Sequence, residues 1–266
     1  HFGGLGLFVD QGEEVRKEFG ESKMIVQGGK TLYGFTLGVI TLHTHFPRAL
    51  GDVGNARTWR FPVLYKILEG LNPRAIIGKE KNCVEEVLNA ARELESAGVK
   101  VITTSCGFFT VLQEDLARAV SVPVVTSSLL LVPLVHRICG MKPVGILTAN
   151  SQVLGQSHLL PVGAVEAFVE IVGLENTNFG RVLLNDEWCI DFEEARTEVV
   201  DAAKKLVEKR SDLGCIVLEC TNLPPFAADV QRVTNLPVFD LTDLVNMVCF
   251  AVEKGGTFPW KGATME

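Results

Sequence analysis

The strongest constraint on this chain is a unit written twice. Val99 to Phe108 reads VKVITTSCGF, and Leu213 to Pro225 reads LGCIVLECTNLPP. Each is a β-branched, apolar run that ends in a cysteine, the pattern of a buried parallel strand handing over to a loop. Pro123, in VPVV, follows Cys106 by 17 positions, and Pro237, in LPVF, follows Cys220 by the same 17. Segments with helical periodicity precede both strands, Val84 to Ala97 and Phe192 to Lys209. Further upstream lie Gly38-Val39-Ile40-Thr41 in one half and Gly145-Ile146-Leu147-Thr148 in the other. Strand, helix, strand-cysteine, helix and proline-strand recur in one order, so the chain reads as two copies of one α/β unit. The predicted fold is α/β and pseudo-twofold, each copy with a mostly parallel sheet flanked by helices and each supplying one cysteine.

Composition narrows the function. The 266 residues are 47% apolar and 21% charged, which suits a packed globular enzyme. A net charge of −7 with no Lys/Arg block excludes a nucleic-acid surface. Seven cysteines without regular spacing or a CxxC pair do not form a disulfide framework or a zinc ribbon, and reduced thiols point to the cytoplasm. The longest uncharged run, Ala119 to Val135, holds Pro123 and Pro133 and reads as a strand plus a helix, not a membrane span. No GxGxxG fingerprint or P-loop is present, so no cofactor and no metal is expected.

Along the chain, residues 1–30 read as an extension and Tyr33 to Leu42 as the first strand. The loop from His43 to Phe61 is too long to be filler. Phe61 to Glu69 reads as the start of a helix and Arg74 to Gly78 as a short strand. Later helices are expected at Phe109 to Val120, Leu129 to Cys139, Gln152 to Leu159 and Leu241 to Lys254. Strands are expected at Pro123 to Thr126, Val144 to Thr148 and Val238 to Asp240.

Cys106 and Cys220 each stand where a strand ends and a helix begins, the edge at which open α/β sheets bind ligands. Helix dipoles and free N–H groups there favour a thiolate. Two thiols facing each other across a cleft suit two-base proton transfer at carbon, one removing a proton and the other returning one to the opposite face. Thr104, Ser105, Thr148, Asn150, Thr221 and Asn222 supply hydroxyl and amide groups that, with backbone N–H groups, would cradle a small carboxylate. Arg48 and Arg57, in the long loop, are available to a second carboxylate.

TTSCGF around Cys106, LECTNLPP around Cys220 and VGILTANS opening the second half resemble the aspartate/glutamate/hydantoin racemase superfamily over most of residues 35–254. The resemblance implies a cofactor-independent isomerase, a racemase or epimerase of an amino acid or related small carboxylate, with Cys106 and Cys220 as the catalytic bases. It also implies two pseudosymmetric domains with a ligand cleft between them and a last helix that packs back onto the first, giving domains at 1–127 plus 241–266 and at 128–240; a homo-oligomer is compatible. Gly107 stands where glutamate racemases usually carry Asn, Asn222 where they carry His, and Thr41-Leu42 where they carry Asp-Ser, which points away from glutamate itself. Thr41 joins the substrate-binding candidates on that correspondence. Cys106 argues against the arylmalonate decarboxylases, which keep only the second cysteine. Two alternatives stay open: a maleate-isomerase-like enzyme or lyase with a single nucleophilic cysteine, and a catalytically silent carboxylate-binding protein.

Overall fold

A computed structural model describes residues 29–73, 76 and 83–254. The extension over 1–30 and the strand expected at Arg74 to Gly78 fall outside them, apart from residues 29, 30 and 76. Two four-stranded sheets organise the chain. The first contains β1 (Leu37–Leu42), β2 (Val63–Leu68), β3 (Val101–Thr104) and β4 (Val124–Val125) in the order β2-β1-β3-β4. The second contains β5 (Val144–Thr148), β6 (Val169–Gly173), β7 (Cys215–Leu218) and β8 (Val238–Phe239) in the order β6-β5-β7-β8. Every strand pair is parallel, and the two orders are the same order written twice. The duplication read from the cysteines is therefore a duplication of topology.

The inner strands explain themselves. All residues of β3, β5 and β7 are buried, since helices cover both faces of a parallel sheet. The helices, in chain order, are α1 (Val84–Ala97), α2 (Gln113–Ala119), α3 (Val132–Ile138), α4 (Gln156–Leu159), α5 (Asn178–Asn185), α6 (Phe192–Lys209), α7 (Ala227–Thr234) and α8 (Leu241–Glu253). In α1 the residues Val87, Ala90, Ala91 and Leu94 form one buried stripe, and Gly98 in the left-handed conformation ends it. Asp191 caps α6 through the N–H groups of Glu193 and Glu194, and Asp240 caps α8. The chain crosses over between its halves: α3 follows the first sheet but packs on β5 and β7, while α8 follows the second and packs on β3.

Several expected elements differ. Phe61 to Glu69 holds a strand, β2, and not a helix, because its pairing with β1 decides the conformation. The helix expected at Phe109 to Val120 is a 3₁₀ turn over Gly107–Leu112 followed by α2, and that expected at Leu129 to Cys139 is likewise a 3₁₀ turn followed by α3. Only Gln156–Leu159 of the Gln152 to Leu159 segment is α-helical. β6 and α5 were not anticipated. No helix among the described residues is long and apolar enough to cross a membrane.

Candidate active site

Where β3 and β7 end, their chains turn toward each other. Cys106 caps the 3₁₀ turn that begins at Gly107, and Cys220 stands two residues beyond the last residue of β7. The Thr221 hydroxyl donates to the Ser105 carbonyl at 2.7 Å, tying the residue before one cysteine to the residue after the other. Both thiols line one cavity, together with Thr44, Phe46, Arg48, Phe108 and Glu219.

Glu219 is the side chain that links the two halves chemically. It is 1% exposed. Its Oε2 accepts the Thr148 hydroxyl at 2.6 Å, whereas its Oε1 has no hydrogen-bond partner. Burial lifts its carboxyl to about 7, against the pull of Thr148. A Cβ at Gly107 would overlap Glu219 Oε1 and stand 2.6 Å from the Glu219 carbonyl oxygen, so only glycine fits opposite this carboxyl. The Asn that glutamate racemases carry after the first cysteine would not leave room for it.

The thiols are held in their protonated form. Burial pushes Cys106 up to about 12, the neighbouring Glu219 carboxylate adds to this, and backbone N–H groups of Phe108 and Phe109 oppose it. Cys220 is pushed well up by burial first and Glu219 second, with an Asn222 N–H opposing and the Cys106 sulfur adding to the rise. Helix N-termini were expected to favour thiolates. The N–H groups do act in that direction, but desolvation and a buried carboxylate outweigh them.

Behind Cys220 runs a polar relay from the long first loop. The Cys220 thiol donates to Asn222 Oδ1 at 3.4 Å, and Asn222 Nδ2 donates to Asp52 Oδ2 at 2.7 Å. Asp52 Oδ1 accepts from Arg48 Nη1 and from the Gly54 N–H, each at 2.7 Å. Arg48 Nη2 donates to Thr44 Oγ1 at 2.8 Å, and its guanidinium lies 4.7 Å from the Phe46 ring centre. The 43–61 loop is thus built into the cavity wall, and Arg48 is an engaged, mostly buried cation. Arg57 lies in the 3₁₀ turn capped by Asn55, whose Oδ1 accepts the Arg57 N–H, and does not line the cavity.

Of the residues singled out from the sequence, Arg48, Ser105, Cys106, Cys220, Thr221 and Asn222 line this cavity. Ser105 Oγ accepts the Leu42 N–H, and Thr221 spends its hydroxyl on Ser105. Thr148 reaches the site only through Glu219. Thr104 donates to the Thr126 and Cys106 carbonyls, and Asn150 caps the Gln152 N–H; neither lines the cavity. Thr41 faces an adjoining cavity beside His43 and Tyr65, with its buried hydroxyl unpartnered. Glu219 and Asp52 were not singled out, and Gly107 was noted only as a departure from the glutamate racemases. The signal was in the letters CIVLEC: a carboxylate at the end of a wholly apolar strand, with no basic residue near it, must be buried beside the cysteine.

Paired parallel sheets of one topology, with a cysteine just beyond the third strand of each and both lining one cavity, define a duplicated α/β fold with two facing thiols. Comparison with known proteins gives it a family. Residues 73–246 match the model of the Asp/Glu/Hydantoin racemase family, and the chain belongs to it. An arylmalonate decarboxylase in its unliganded form has the same fold, with a TM-score of 0.55 and 20% identity over 84% of this chain and 94% of that one. Curated relatives are more alike in sequence. A dimethylsulfoniopropionate lyase from Durusdinium sp. clade D is 34% identical over 214 residues, 77% of this chain and 71% of the relative. Dimethylsulfoniopropionate lyase 7 from Emiliania huxleyi (strain CCMP1516) is 32% identical over 220 residues, and the chain spans 63% of its length. These relatives correct the expectation of an isomerase: the family stands, but the curated activity at this similarity is that of a lyase.

Proposed function

We propose that this chain is a carbon–sulfur lyase that splits dimethylsulfoniopropionate into dimethyl sulfide and acrylate. The observation that carries the reading is the convergence of two thiols on one small cavity in a chain 34% identical to a dimethylsulfoniopropionate lyase. The substrate bears a carboxylate on C2 and a dimethylsulfonium on C3. An ionised thiol of the Cys106/Cys220 pair removes a proton from C2. The C–H pair becomes the C2=C3 π bond, the C3–S pair leaves with sulfur, and dimethyl sulfide departs neutral. The thiol then gives its proton to water, so one proton is released per turnover. The opening step is the α-proton abstraction of the racemase family, and a leaving group on the next carbon redirects it to elimination.

Only one base is needed, in contrast to racemisation. The two thiols interact with each other and with Glu219, so the base belongs to the pair as a titrating unit. The second thiol remains a hydrogen-bond donor toward the developing carbanion and its carboxylate. Headspace gas chromatography for dimethyl sulfide, with proton NMR for acrylate, tests the reading. The intact protein is expected to release both in equal amounts. Cys106→Ala and Cys220→Ala should each lower kcat/KM by about 10² or more, the usual worth of a positioned acid or base. Release of 3-hydroxypropionate in place of acrylate, or undiminished turnover in both variants, defeats it.

A further inference from the structure

Glu219 has no task in the elimination as written, and its surroundings give it one. A buried carboxylate oxygen without a partner is costly, and such groups persist where a ligand completes them. Gly107 leaves Oε1 its space, and Thr148 holds Oε2 in place, so the free oxygen is positioned by both halves of the molecule. Arg48 is the cation among the described residues lining the cavity, and its charge is already matched by Asp52 at 2.7 Å. The carboxyl of Glu219 is therefore the charge left uncompensated in the wall. The rest of the lining is mostly apolar, including Leu42, Phe46, Phe108 and Leu183. A carboxylate in an apolar, partly aromatic wall suits a cation that carries alkyl groups and no N–H donors.

We infer that Glu219 is the specificity residue of this site, the counter-charge that selects substrates whose β-carbon bears an alkylated onium cation. The inference rests on the proposed lyase reading for the position of the cation next to the carbon that loses its leaving group. The Glu219 charge is one of the causes holding both thiols protonated. An onium cation set against it cancels that field, so the substrate itself makes the base easier to ionise. A neutral analogue would not.

The test uses two shape-matched ligands that do not undergo elimination, 3-(trimethylammonio)propionate and 4,4-dimethylpentanoate, titrated calorimetrically into the intact protein and into Glu219→Gln. The intact protein should bind the cation at least about tenfold more tightly, and Glu219→Gln should bring the two ligands to within about twofold. A measurement on the intact protein alone guards against a misfolded variant. Just below neutrality, calorimetry in buffers of different ionisation enthalpy should show proton release on binding the cation and none on binding the neutral ligand. Equal affinities in the intact protein, a preference that survives in Glu219→Gln, or failure to bind either ligand overturns the inference. Dimethyl sulfide release is scored separately: release without cation preference removes this inference and keeps the lyase, and preference without release does the reverse.

Discussion

A carboxyl that titrates near neutrality inside a protein leaves a mark on stability as well as on binding. Burial raises Glu219 from an ordinary value of 4.5 to about 7. The folded state thus binds this proton more tightly than the unfolded chain does. The resulting stability is complete below about pH 4.5 and is lost as pH rises through 7, leaving the charged form penalised by about 3 kcal/mol above it. Glu219→Gln removes the charge and keeps an oxygen for the Thr148 hydroxyl. Urea denaturation should show the variant about 3 kcal/mol more stable than the intact protein near pH 8 and indistinguishable near pH 4. Equal stability at both pH values would mean that the carboxyl is solvated in the empty protein. A residue that costs the fold this much at neutral pH has its justification in a ligand, which is the trade-off met at functional sites.

The elements that carry this site were unevenly legible in the sequence. Both cysteine strands, β3 and β7, and the central strands β1 and β5 stand out because burial on both faces makes them continuous apolar runs. The outer strands β2 and β6 are half-exposed and carry Lys66, Glu170 and other mixed positions, so their letters suit a helix or a loop as well as a strand. Pairing with a neighbour decides them, and no local pattern records that. The same holds for α5, eight residues whose start is set by the Thr177 hydroxyl accepting the Gly180 N–H at 3.0 Å. That helix brings Leu183 to the cavity wall. Thr177→Ala should cost about 1 kcal/mol in chemical denaturation, the usual worth of an N-cap. Because α5 is part of the wall, the loss should be larger for bound 4,4-dimethylpentanoate than for the fold alone; an unchanged affinity would show that Leu183 does not touch the ligand. The site itself was legible where chemistry repeats, in the two cysteines, and illegible where it depends on approach through space. Glu219 and Gly107 are 112 residues apart and acquire meaning only when Gly107's missing side chain meets the carboxyl.

On the scale of the whole molecule, the two sheets must be held in register for a thiol from each to line one cavity. The crossover of α3 and α8 does part of this, since each half is covered by a helix that follows the other half's sheet. Thr36 Oγ1 donates to Glu253 Oε1 at 2.6 Å, fixing the end of α8 to the first half, and Ser128 Oγ donates to the Leu218 carbonyl at 2.7 Å at the end of β7. A third bond, Thr221 Oγ1 to the Ser105 carbonyl, joins the cysteine loops directly. Both residues are buried, so removing the hydroxyl leaves a carbonyl without its partner. Thr221→Val keeps the shape and should lose about 1–3 kcal/mol of stability. A purely structural bond would stop there. If this one sets the spacing of the thiols, kcat for dimethyl sulfide release should fall by about tenfold or more at temperatures where the variant is fully folded, with KM less affected, since positioning errors act on the reacting geometry. Thr221→Ser, which restores the donor, should recover most of the rate. Full turnover in a folded Thr221→Val would instead show that the crossed helices alone hold the two halves closely enough for proton transfer.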